Sequence, residues 1–214
     1  MQVSVIITCH NYARYLARSI RSAVNQSFDR KDYEIIVVND GSTDETKKVM
    51  QSFEGLIKPL HLKKNVGLAA ARNEGIKKAI GRYVVNLDAD DYMDDNLLMV
   101  ESLFLNFNAL WDAVSCDYYL VDENENHIGR ISGKDKPIAC GVMIRTDRLF
   151  EIGLYDEKFK MREEEDLRIR FEKKHNIHNI ELPLYRYRKH EKNMTNNKKD
   201  MEKFKKILHS KHKS

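Results

Sequence analysis

The stretch NLDADDYMDDN, Asn86 to Asn96, places Asp88, Asp90, Asp91, Asp94 and Asp95 directly behind the apolar run Tyr83-Val84-Val85. Asp94 and Asp95 suit the cap and first turn of a helix carrying Leu97, Val100, Phe104 and Phe107, where a carboxylate accepts backbone N–H bonds and meets the positive end of the helix dipole. Asp88, Asp90 and Asp91 are left without such a role. Three neighbouring carboxylates repel one another unless a cation shares them, and a hard divalent metal with oxygen ligands is the usual remedy.

Such a cluster needs elements that hold it, and the first half of the chain supplies them. Short β-branched runs alternate with helical periodicity, the pattern of βαβ units and a mostly parallel sheet. Strands are predicted at Val3 to Thr8, at Glu34 to Val38, around Leu60 and Leu62, and at Arg82 to Leu87. Their near-continuous apolar runs fit strands covered on both faces. Between them lie a helix with Ala13, Leu16, Ile20 and Ala23 on one face, a helix opening at Ser42-Thr43-Asp44-Glu45 with capping-box spacing, and an Ala-rich helix from Gly67 to Ala79. The second half predicts a strand at Ala113 to Val121, a turn at Asp122 to Asn126, a strand at Ile138 to Ile144, helices at Thr146 to Ile152 and Glu163 to Lys174, and a short strand at Ile177 to Leu182.

Ligands of open α/β sheets bind at the carboxyl ends of the strands. That rule gathers Thr8-Cys9-His10-Asn11, Asn39-Asp40-Gly41-Ser42 and Asp88-Ala89-Asp90-Asp91 into one place. No GxGxxG follows the first strand and no GxxxxGK[ST] occurs, so a nucleotide must be held by other means. Asp40 can accept from a base N–H or a ribose hydroxyl, and it can equally be a turn former before Gly41.

The 214 residues suffice for one sizeable core, with 42% hydrophobic and 33% charged residues, and this excludes a largely disordered chain. No apolar stretch approaches the ~20 residues of a membrane helix, and MQVSVIITCHN has no basic leader, so a cytoplasmic protein is expected. Cys9, Cys116 and Cys140 are scattered and expected to be reduced thiols. The net charge is +4, with basic residues crowding the C-terminal part. Such a tail is read chiefly as a solvated helix, with contact to the inner face of a membrane as a further expectation for residues 198–213.

Five segments, in order, resemble one family: VSVIITCHNYARYLARSIRSAVNQSF, EIIVVNDGSTDET, NVGLAAARNEGI, GRYVVNLDADD and GLYDEKFKMREEEDLRIRF. Together they are similar to the family 2 glycosyltransferases of GT-A fold, over about Val3 to Thr195. The resemblance implies an α/β fold with a Rossmann-like, mostly parallel central sheet, a nucleotide-binding half at 1–91, an acceptor-side half at 92–195 and a basic helical tail at 196–214. It implies inverting transfer from a nucleotide-sugar donor, a UDP-sugar being commonest, to a glycan, lipid-linked or other hydroxyl acceptor in surface polysaccharide or glycan assembly, with Mn²⁺ or Mg²⁺ as cofactor and no nucleic-acid partner.

Carried over by position, Thr8, His10, Asn11, Asp40, Arg72, Asp88 and Ala89 hold the donor. His10 stands where many relatives have a base-stacking Tyr. Asp88 and Asp90 match the DxD motif, Asp90 being the metal ligand with Asp88 beside it, while Asp91 serves structure. His190, in YRYRKHEKNMT, is the further metal ligand or diphosphate contact, and Arg186 and Arg188 could meet phosphate as forked donors. Glu163, Glu164 and Glu165 align with the segment that carries the base, with Glu164 where an Asp usually acts. An acidic first helical turn accounts for some of these charges, and the ~100° between successive helical residues lets only one or two face a cleft. A nucleotidyltransferase would need a glycine-rich loop after the first strand, which TCHNYARYL lacks. A non-catalytic nucleotide-sugar or glycan-binding module of the same fold is the remaining alternative.

Overall fold

The computed structural model describes residues 1–213. A nine-stranded mixed sheet runs through it in the order β3-β2-β1-β4-β8-β6-β9-β5, with β7 pairing on β6. The strands are β1 (Val3–Cys9), β2 (Tyr33–Asn39), β3 (Lys58–His61), β4 (Tyr83–Asp88), β5 (Tyr92–Met93), β6 (Ala113–Val121), β7 (His127–Ile131), β8 (Val142–Arg145) and β9 (Ile177–Arg188). The helices are α1 (Ala13–Val24), α2 (Thr46–Gln51), α3 (Leu68–Lys78), α4 (Leu97–Phe107), α5 (Thr146–Glu151), α6 (Glu163–Glu172) and α7 (Lys198–His212).

Period-two alternation explains why β1 and β2 are buried throughout. Val3, Val5, Ile7, Ile35 and Val37 enter one core with Leu16 and Ile20 of α1 and Leu97 and Leu98 of α4. Ile6, Ile36 and Val38 enter the opposite core with Ala71 and Ile76 of α3 and Leu167 and Phe171 of α6. A strand that feeds two cores has no polar face to show.

The sheet is parallel only over β3-β2-β1-β4. Beyond β4 it is mixed: β8 runs antiparallel to both β4 and β6, and β9 runs parallel to β6. The predicted strand at Ile138 to Ile144 shrinks to β8, because Gly141 takes a φ of +65° that interrupts an extended run. The last strand is instead twice as long as expected. Pro183, which normally ends a strand, sits opposite Asp117 where the β6–β9 register shifts, so the irregularity absorbs its missing N–H.

The capping box at Ser42 and Glu45 does not form. Asp44 takes its place, its Oδ1 accepting the Thr46 N–H at 3.0 Å. The basic tail is not a freely solvated helix, for α7 buries Phe204 and Leu208 against Phe159 and Met161. Among the described residues no helix is long and apolar enough to cross a membrane.

Candidate active site

The parallel register sets Thr8 beside both Val38 and Asp88, so the loops after β1, β2 and β4 leave the sheet at one level. The first two loops are tied together. His10 Nδ1 lies 2.7 Å from the Asp40 carbonyl oxygen, and Asn11, at a φ of +58°, accepts the Thr43 N–H through Oδ1 at 2.8 Å. Asp40 is buried, and its two oxygens accept the N–H groups of Val66 (2.8 Å) and Gly67 (3.0 Å) at the entrance to α3. Gly41 follows with a φ of +62°. A Cβ there would fall 2.4 Å from the Lys64 carbonyl carbon, so only glycine lets this loop pass.

Arg72 of α3 joins the loop at the end of β4 to α6. It is 2% exposed, and its guanidinium reaches Asp88 Oδ1 and Glu163 Oε1, each at 2.8 Å. A buried cation needs such partners, and each carboxylate is held in turn by the same fork. Asn73, next in the helix, donates to the Tyr155 carbonyl at 2.9 Å and to Glu157 at 3.0 Å, fixing the loop ahead of α6. Ala89, buried at the turn after β4, lets the chain double back toward Asp90.

Asp90 and Asp91 part company. Asp91 points inward, its carboxylate accepting the Tyr185 hydroxyl and the Arg188 N–H, each at 2.8 Å. Burial, with Asp90 and Asp88 nearby, drives its carboxyl well above the usual range, as befits a structural group. Asp90 Oδ2 lies 2.9 Å from His190 Nε2 and 3.4 Å from Asn193 Nδ2. Because His190 Nδ1 accepts the Lys192 N–H at 3.2 Å, the neutral ring carries its proton on Nε2 and donates it to Asp90. Tyr12, at the cap of α1, and Tyr15 within it pack on the imidazole, with centroids at 5.7 and 4.9 Å. They were not among the predicted site residues, although their position on the α1 face behind His10 was a usable signal. Asn193 gave none.

Among the described residues, no group of three His, Cys, Asp or Glu side chains is close enough to hold a metal by itself. Asp90 and His190 supply a carboxylate and an imidazole, donor types that divalent ions accept, and Mg²⁺-type ions commonly take one or two protein ligands with phosphate and water completing the shell. His190 could join such a site only once its Nε2 proton moves to Nδ1 and the Lys192 N–H gives way. Arg186 and Arg188 do not match their expected phosphate role. Arg186 donates to Pro183 and to Asp94, and Arg188 to Asp90, Asp122, Glu123 and Glu125, so both brace loops.

The four acidic residues opening α6 are sorted by their partners. Glu163 is bound to Arg72, Glu165 to Arg162, and Asp166 to Arg170, Lys211 and His212. Among the described residues Glu164 has no such partner, and it lines a cavity of about 370 Å³ with Tyr155, Arg168, Phe171 and His178. Burial, reinforced by Glu163, lifts its carboxyl to about 7, a value suited to accepting a proton near neutral pH.

Comparison with known proteins bears on the family and the fold. The sequence profile described as Glycosyl transferase family 2 matches residues 4–172. An uncharacterized glycosyltransferase of Rickettsia bellii (strain RML369-C) is 33% identical over 177 residues, 76% of this chain but 25% of the relative. The poly(ribitol-phosphate) beta-N-acetylglucosaminyltransferase TarP of Staphylococcus aureus (strain N315) is 40% identical over 100 residues, 45% of this chain and 31% of TarP. This chain therefore spans only a minor part of either relative. Among solved structures, S. aureus TarS 1-349 in complex with UDP-GlcNAc gives a TM-score of 0.78 at 21% identity, covering 92% of this chain and 61% of that one. The mannosyltransferase PcManGT of Pyrobaculum calidifontis in complex with GDP-Man and Mn²⁺ gives 0.71 at 18% identity, covering 86% and 56%. These likenesses establish the fold as GT-A. With the profile match running from β1 to the end of α6, the chain belongs to glycosyltransferase family 2.

Proposed function

We propose that this protein transfers a sugar, with inversion, from a nucleoside diphosphate sugar to an acceptor hydroxyl, UDP-GlcNAc being the donor to test first. The observation that carries the reading is the unpartnered Glu164 carboxylate beside a cavity, joined through Glu163, Arg72 and Asp88 to the donor-side loops. TarS, solved with UDP-GlcNAc, and TarP, named as an N-acetylglucosaminyltransferase, support the donor choice.

In this reading Thr8, His10, Asn11, Asp40, Arg72, Asp88 and Ala89 frame the donor. Asp40 can do so while bound to Val66 and Gly67, because a carboxylate has about four acceptor positions. Asp90 and His190, with Asp88 beside them, would hold Mn²⁺ or Mg²⁺, and the ion's chemistry when bound is neutralisation of charge on the departing diphosphate. Glu164 takes the proton of the acceptor hydroxyl as that oxygen attacks the anomeric carbon opposite the leaving group. The acceptor, a glycan or lipid-linked hydroxyl in surface polysaccharide assembly, would approach through the cavity lined by Glu164.

The test is incubation with UDP-, GDP-, CMP- and dTDP-sugars and a set of hydroxyl acceptors, reading nucleotide release and the anomeric configuration of the product by NMR. A glycoside of inverted configuration is expected. A product with retained configuration would refute the single in-line displacement. Metal-dependent donor binding without turnover on any acceptor would favour the non-catalytic binding module.

A further inference from the structure

The basic C-terminal segment takes part in neither donor binding nor the acceptor cavity, yet it is built against the helix that carries Glu164. Met201, Phe204 and Leu208 recur at helical spacing in an otherwise polar stretch, a stripe too narrow to stabilise a 15-residue helix unaided. In the folded chain that stripe closes on Phe159, Met161 and Ile169, the last of these on α6.

Two polar attachments flank Glu164. On its C-terminal side Asp166, fully buried, takes Arg170 at 2.9 Å from within α6 and Lys211 (2.7 Å) and His212 (2.8 Å) from α7. Lys211 also reaches Asp156 at 2.8 Å, tying the loop before α6 into the same knot. On its N-terminal side Arg162 stands at a φ of +61°, a left-handed conformation that a side chain as large as arginine adopts only when held there. Its Nε–H donates to the Met201 carbonyl of α7 at 3.0 Å, and its guanidinium pairs with Glu165. Among the described residues Glu164 has no ion pair that would aim it, so its position is inherited from α6.

We propose that α7 is a clamp on α6, and that Lys211, His212 and Arg162 are positioning residues that set where the Glu164 carboxylate stands. The catalytic consequence rests on the assignment of Glu164 as base. The clamp itself does not.

The test uses the whole chain and three variants: Lys211→Met, Lys211→Met with His212→Gln, and Phe204→Ala. Arg170 still compensates Asp166 in the first two, which keeps them foldable, and Lys211→Arg serves as the conservative rescue. Hydrogen exchange over residues 163–172 is expected to quicken in all three variants and to stay near wild type in Lys211→Arg. Turnover is expected to fall about tenfold in the double variant with donor KM within about threefold, since a misplacement of ~1 Å can reduce rate ~10²-fold. Unchanged exchange in α6 would overturn the clamp. Quickened exchange with unchanged kcat, or with kcat and donor affinity lost together, would overturn the positioning role. Should the wild-type chain turn over no nucleotide sugar, the proposed function fails while the exchange result still decides the clamp.

Discussion

Replacing Glu164 with Gln removes one proton acceptor and nothing else that the fold uses. Among the described residues the carboxylate makes no ion pair, and the amide has the same size and can still accept from the residue's own N–H, so no native contact is broken. General-base assistance is worth ~10²–10⁴ in rate, or about 3–5 kcal/mol, and that loss should fall on kcat with donor affinity little changed. Because the wild-type carboxyl is raised to about 7, its kcat/KM should climb as pH rises through that value, and this limb should vanish in Glu164→Gln. Stability supplies an independent check. An acid raised above its unfolded value of about 4.5 binds more protons in the folded chain than in the unfolded one between pH 4.5 and 7, so the wild type loses stability across that window. Glu164→Gln should therefore melt like the wild type near pH 4 and above it at pH 8. Nucleotide release from pH 5.5 to 8.5 and thermal melts at both extremes measure the two effects. More than a third of wild-type kcat, or a surviving acid limb, would remove Glu164 from the role.

Asp90→Asn and His190→Gln should each weaken Mn²⁺-dependent donor binding at least tenfold while leaving metal-free binding unchanged; calorimetry with and without EDTA reads both. Arg72→Met leaves Asp88 and Glu163 facing each other without their shared cation, and stability should drop by about 3–5 kcal/mol in urea melts at pH 7. Glu101, fully buried in α4 with only the Cys116 thiol beside its carboxylate, has its carboxyl pushed well above the usual range by burial. As a raised acid it costs stability increasingly as pH rises above about 4.5, so Glu101→Met should stabilise by about 1–3 kcal/mol at pH 8 and by less at pH 4.5.

Much of the first half was legible because its physics is local. Val3 to Cys9 and Tyr33 to Asn39 are buried on both faces, and one rule about carboxyl ends then brought Thr8, Asp40 and Asp88 together. The second half was harder because its order comes from partners far away in sequence. β9 outruns its predicted end, since a Pro183 that should stop a strand is accommodated by a register shift in β6. Four successive acids in α6 look equivalent on paper. Only the positions of Arg72, Arg162, Lys211 and His212 distinguish them, and those partners come from three other elements or loops. Arg186 and Arg188 were read as forked donors that could meet phosphate, from their place in a segment resembling one that closes over the donor, whereas packing at the β9 end gives their donors to loop carbonyls and carboxylates. The tail shows the same limit: its charge was plain, but the receptive faces of Phe159 and Met161 lie some forty residues earlier.

The most direct test of a donor and metal site at the carboxyl end of the sheet is calorimetric titration of the intact chain with UDP-GlcNAc, with Mn²⁺ and with EDTA. Saturable one-site binding that weakens at least tenfold in EDTA and in Asp90→Asn is expected. Binding indifferent to both, by UDP-GlcNAc and by every other nucleotide sugar that binds, would contradict it.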